Sequence, residues 1–92
     1  MDVTYKNRHL QKCAENESYS VRKLGKLRSD LFLERVGNLM AAVTLEDVRL
    51  LPGDFHELSG DKKGQWACRL DNPYRLILKG VEILEIENYH GK

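Results

Sequence analysis

Long apolar runs are missing from this chain. The longest, Leu39 to Val43, falls far short of the roughly 20 residues that cross a bilayer as a helix, so no membrane span is expected. Met1 to Lys6 lacks a basic stretch leading into an apolar core, so no secretory signal is expected and a cytoplasmic location is. Cysteine is scarce. Cys13 and Cys68 stand alone without metal-ligand spacing, and they read as small buried hydrophobes in a reducing compartment rather than as a disulfide. An excess of one charge sign is missing too: 15 basic residues face 14 acidic ones, for a net charge of +1. Global attraction to nucleic acid is therefore no argument here, and only a local cluster could supply it. Repeats, low-complexity tracts and linkers are absent.

What is present is an ordinary globular balance. The 41% hydrophobic and 32% charged shares exclude a disordered composition. Ninety-two residues make a single domain, 1–92, nearly all of which must pack to bury a workable core.

Val3 and Tyr5 alternate with polar neighbours and predict a short first strand. Asn7 is placed to cap a helix over Arg8 to Glu15 with Leu10, Cys13 and Ala14 on one face. Glu15 to Ser18 reads as a turn. From about Ser20 to Ala42 a single longer helix is expected. Val21, Leu24, Leu27, Leu31, Phe32, Val36, Leu39, Met40 and Val43 recur at steps of three and four and form one apolar stripe. Arg22, Lys23, Lys26 and Arg28 lie mostly off that stripe. They are either a solvated face or a basic surface turned to RNA or an acidic partner. Thr44 followed by Asp47 resembles a capping box, and Pro52-Gly53-Asp54 ends the turn it opens.

From Phe55 the period changes to two. Strands are predicted over Phe55–Leu58, Gln65–Leu70, Tyr74–Lys79 and Val81–Ile86, with a polar turn over Ser59–Gly64. The order of elements gives an α+β class, with two helices stacked on one face of a mostly antiparallel sheet of four to five strands. A loop of residues 71–73 pairs Leu70 with Tyr74 and sets Arg69 opposite Arg75, which keeps both apolar faces together; a two-residue turn would mix them. Two arginines face to face repel. They are either solvated or ion-paired, or they grip an anion such as a phosphate on which charge builds. His56 and His90 are the histidines near this face. Each is either structural or a general acid–base group, since imidazole titrates near neutrality. His9, His56 and His90 match no metal-ligand spacing, so neither metal nor cofactor is expected.

Three stretches carry a resemblance: HELSGDKKGQW from His56, CRLDNPYRLIL from Cys68, and EILEIENYHGK from Glu82. The preceding TLEDVRLLPGDF, from Thr44, fits the same pattern. A histidine ahead of a G-D-K-K-G turn, a tryptophan, an arginine, a Y-R-L-I strand and a terminal Y-H resemble the RelE/ParE superfamily of bacterial type II toxins. The HigB-like branch, the plasmid-maintenance killer proteins, is the most similar. Residues 44–91 carry the motifs; the N-terminal half agrees in element order. The resemblance implies a metal-independent, ribosome-dependent endoribonuclease that cuts mRNA in the decoding site and so inhibits translation. It implies a HigA-like helix-turn-helix antitoxin as partner, contact with DNA only through that antitoxin, and no membrane. It also implies roles. Arg69 and Arg75 hold the phosphate, His56 and His90 share the acid–base work, Tyr89 stacks on a base, and Lys62 and Lys63 touch ribosomal RNA. Apart from the resemblance, the charge pattern makes Arg22, Lys23 and Lys26 further candidates for an RNA-facing surface. Two positions depart from the pattern: Asn88 stands where many relatives have an acid, and Ser59 where many have lysine. Both changes remove charge. Two other functions therefore stay open: a ParE-like gyrase poison that cleaves nothing, and a toxin-fold binding module without activity.

Overall fold

The computed structural model describes residues 1–89; His90 and the two residues after it lie outside. Strand β1 (Thr4–Tyr5) leads into helices α1 (Arg8–Glu15), α2 (Glu17–Leu24) and α3 (Lys26–Ala41). A 3-10 helix over Leu45–Leu50 and a 3-10 turn over Gly60–Lys62 flank β2 (His56–Glu57). Strands β3 (Trp66–Arg69), β4 (Tyr74–Lys79) and β5 (Glu82–Asn88) follow. The strands form one five-stranded sheet in the order β1-β5-β4-β3-β2. Neighbours from β2 to β5 run antiparallel, and β1 lies parallel to β5. This is an α+β fold with a mixed sheet.

Local chemistry explains most boundaries. Asn7 accepts the Leu10 N–H at 2.9 Å and starts α1 where the cap was expected. Thr44 and Asp47 complete a reciprocal capping box at the first 3-10 helix.

The helices depart from expectation in two ways. The turn over Glu15–Ser18 shrinks to Asn16 alone. Its N–H closes α1 on the Lys12 carbonyl at 2.9 Å, and its side chain caps α2 by accepting the Tyr19 N–H at 3.0 Å. The single helix from Ser20 to Ala42 is two helices, because Gly25 sits at φ +87°, a conformation open to glycine that no helix contains. Its N–H ends α2 on the Val21 carbonyl, and its own carbonyl takes the Ser29 N–H. Part of the expected stripe is not buried: Leu27 and Met40 on α3 and Val43 beyond its end are exposed. Phe32, Val36 and Leu39 remain in the core, and the buried Ser29 hydroxyl donates to Ser20 Oγ at 2.7 Å where α2 meets α3.

One sheet face carries the core. Leu10 and Cys13 of α1 and Phe32, Val36 and Leu39 of α3 pack on Trp66, Cys68, Leu70, Leu76, Leu78 and Ile83. Each such apolar side chain contributes about 1.5–3 kcal/mol on burial. Trp66 faces Leu78 and Cys68 faces Leu76 across the β3–β4 pair, and Arg69 faces Arg75, the register expected from a three-residue loop. Strand β2 is shorter than expected, and β5 runs on to Asn88. A register shift between Ile77 and Leu78 leaves Leu84 as an extra residue on β5.

Candidate active-site cleft

The other face of the sheet is laid out by the same register. Cross-strand partners share a face. One row runs His56, Ala67, Ile77 and Glu85; the next runs Arg69, Arg75 and Glu87. Ala67 is the small member of the first row and forms the floor of a cleft of about 520 Å³. Asp54, His56, Arg69, Arg75, Asn72 and Tyr89 stand around it.

Arg75 is held on two sides. Its Nε donates to Glu87 Oε1 at 2.6 Å, and its guanidinium lies over the Tyr89 ring at 4.2 Å. The Tyr89 N–H is itself fixed on the Pro73 carbonyl at 2.7 Å. The other oxygen of Glu87 accepts Lys62 Nζ at 3.1 Å. Burial is the largest single influence on the Glu87 carboxyl and pushes its pKa up. The hydrogen bonds and charges of Arg75 and Lys62 together outweigh it and hold the carboxyl below the usual range. Arg75 is thus held by Glu87 and Tyr89, with its Nε committed to the carboxylate, and it lines the cleft.

Arg69 is held differently. Its side chain is 76% exposed and meets Asp54 Oδ2 at a loose 3.6 Å. Such an exposed pair contributes at most about 1 kcal/mol. The arginines are therefore ion-paired, but unequally. Counted together, Arg69, Arg75 and Lys62 exceed Asp54 and Glu87 by one positive charge, before His56 is included.

His56 Nδ1 lies 2.9 Å from the Asp54 carbonyl oxygen. A carbonyl only accepts, so Nδ1 carries the proton and Nε2 carries the lone pair in the neutral ring. A base within reach of a hydroxyl needs that arrangement.

The fold brings His56, Arg69, Arg75 and Tyr89 around one cleft, and Lys62 joins them through Glu87. Lys63 is exposed on the neighbouring turn. Arg22, Lys23 and Lys26 do not line the cleft. Arg22 and Lys23 of α2 flank the Tyr19 ring with Lys12 of α1, and Lys26 pairs with Asp30 within α3. His9 bonds the Tyr19 hydroxyl at 2.9 Å, far in the chain from the cleft. His90 lies outside the described residues. Both cysteines are buried as expected, and burial pushes the Cys68 thiol up to about 12, which leaves no thiolate at the cleft. Among the described residues no three His, Cys, Asp or Glu side chains gather to hold a metal ion.

Sequence reading missed Asp54, Glu87 and Arg35. Asp54 looked like a turn residue, and Glu87 fell past the expected end of β5. Arg35 carried the one available signal, a charged residue inside the apolar stripe of α3. No model of a known protein family matches the chain, and no curated protein matches it.

Proposed function

We propose that the chain is a RelE/ParE-like toxin of the HigB-like branch, the toxin half of a type II toxin–antitoxin pair, and that it cuts mRNA on the ribosome. The observation that carries this reading is the cleft in which His56, Arg69, Arg75 and Tyr89 converge. The reaction is transesterification. The ribose 2′-oxygen bonds to the adjacent phosphorus as the bond from phosphorus to the 5′-oxygen breaks. A base takes the 2′-proton, and an acid returns one to the leaving oxygen. Arg75, pre-set by Glu87 and Tyr89, and Arg69 beside it hold the phosphoryl oxygens as negative charge builds. His56 offers Nε2 as the base, with His90 as its acid partner. The half-exposed ring of Tyr89 supplies a stacking face for a base. No metal or cofactor is needed for these steps. Lys63 and the basic set around α2 would meet ribosomal RNA, and a HigA-like helix-turn-helix antitoxin would silence the protein.

Mapping of mRNA cuts after brief induction, beside His56→Ala and His90→Ala, tests the reading. Cuts within translated frames that vanish in both variants are expected. Growth arrest without cuts would point to a ParE-like gyrase poison. Neither arrest nor cuts would leave a binding module of the same fold.

A further inference from the structure

Arg35 is out of place by ordinary rules. It lies on the apolar face of α3 among Phe32, Val36 and Leu39 and is only 7% exposed. Burying a guanidinium is unfavourable unless it is well bonded, and an apolar side chain of similar volume is often as stable or more so. Its bonds lead out of the apolar cluster, one to the backbone at the end of β3 and one to the neighbouring residue on α3. Nε donates to the Arg69 carbonyl at 2.9 Å, and Nη1 meets Glu34 Oε2 at 3.1 Å.

Its flat face lies against Gly53. A Cβ added there would collide with Arg35 Nε and Cζ, and Gly53 also sits at φ +106°. The Gly53 carbonyl accepts the Arg69 N–H at 2.7 Å. The Arg69 backbone is therefore gripped from both sides, by Gly53 through its N–H and by Arg35 through its carbonyl. The next residue after Gly53 is Asp54, at φ +54°, whose carbonyl holds His56 Nδ1 and whose carboxylate meets Arg69 Nε. One buried guanidinium thus ties the end of β3 to the loop that carries His56.

We propose that Arg35 is a positioning residue for the cleft: it lines none of it but sets Arg69 and the His56 loop at a fixed separation. The proposal rests on the nuclease reading only for its catalytic consequence; the geometry can be read without it.

The test uses Arg35→Met and Arg35→Lys in the full chain. Two readouts are followed: cleavage of mRNA on programmed ribosomes, and the imidazole resonances of His56, assigned by their loss in His56→Ala. Arg35→Met fits the apolar site and is expected to fold. A displacement on the ångström scale costs on the order of 100-fold in rate, so kcat should drop about 10- to 100-fold. KM should stay within about twofold, because Arg35 meets no substrate. The His56 resonances should move and broaden. Arg35→Lys keeps a donor for the Arg69 carbonyl but not the flat contact with Gly53, and should recover part of both signals. Unchanged His56 resonances in folded Arg35→Met would overturn the proposal, whatever the activity. So would kcat within about twofold of the parent. If Arg35→Met does not fold, Arg35→Lys is decisive, and parental resonances with parental kcat sink the idea. If the parent cuts no RNA while the resonances still move, the nuclease reading falls and the positioning role stands.

Discussion

The two faces of the sheet are built from the same strands and follow opposite rules. Toward the helices, Trp66, Cys68, Leu76, Leu78 and Ile83 are buried among apolar neighbours, and each position is fixed by volume. On the other face, among the described residues, only Ala67 and Ile77 are fully buried, and they lie between His56, Arg69, Arg75, Glu85 and Glu87. That face is fixed by charge pairing, with Lys62 brought over it by the 3-10 turn. Apolar burial supplies most of the folding free energy, whereas partly exposed ion pairs supply little. The division lets the second face hold a dense set of charged side chains that a core could not tolerate. Stability and chemistry should therefore separate in mutants.

The largest effect is expected on the apolar face. Leu76→Ala, at a fully buried position, should lower the unfolding free energy by about 3 kcal/mol in denaturant titrations. A loss under about 1 kcal/mol would mean that this face collapses readily around a void, and the contrast would fail.

Glu87→Gln comes next. It leaves Arg75 and Lys62 without their charged acceptor and should destabilise by about 1.5 kcal/mol at neutral pH. The folded-state pKa of Glu87 is depressed, so its contribution is complete above the ordinary carboxylate pKa. It is lost as pH falls through the folded-state value. Urea midpoints taken from neutral pH down to acid should converge for parent and variant. A constant gap at all pH values would show that Glu87 acts through packing and not through its charge.

Arg69→Ala should be the smallest in stability, within about 0.5 kcal/mol, because the side chain is largely in water and its partner is at 3.6 Å. It sharpens the comparison most if cleavage falls at least 10-fold while the melting curve is unchanged. A variant that loses stability and activity together would mean that the two faces are not separable at β3.

Much of this was legible in the chain because it is local. Asn7 and the Arg8–Glu15 helix follow from one cap and one face. The Tyr74–Lys79 strand and the Arg69–Arg75 pairing follow from period two and a three-residue loop. The misses are of two kinds. A glycine is tolerated inside many helices, so Gly25 on a continuous stripe did not announce a break, although it takes a positive φ here. The others are contacts between residues distant in sequence. Nothing near Thr4 says that it lies parallel to Glu82, and nothing near Gly53 says that a guanidinium from α3 will rest on it. Glu87 was one step from legible: extending β5 to Asn88 places it opposite Arg75 at once.

The outermost strands, β1 and β2, are only two residues long each. Each therefore presents a very short row of unpaired peptide groups along the sheet margin. A second chain adding itself edge to edge would find almost no ladder to extend. The sheet thus has little means of stacking into fibrils with its own copies, and a variant that lengthened β2 past Glu57 would give up that protection first.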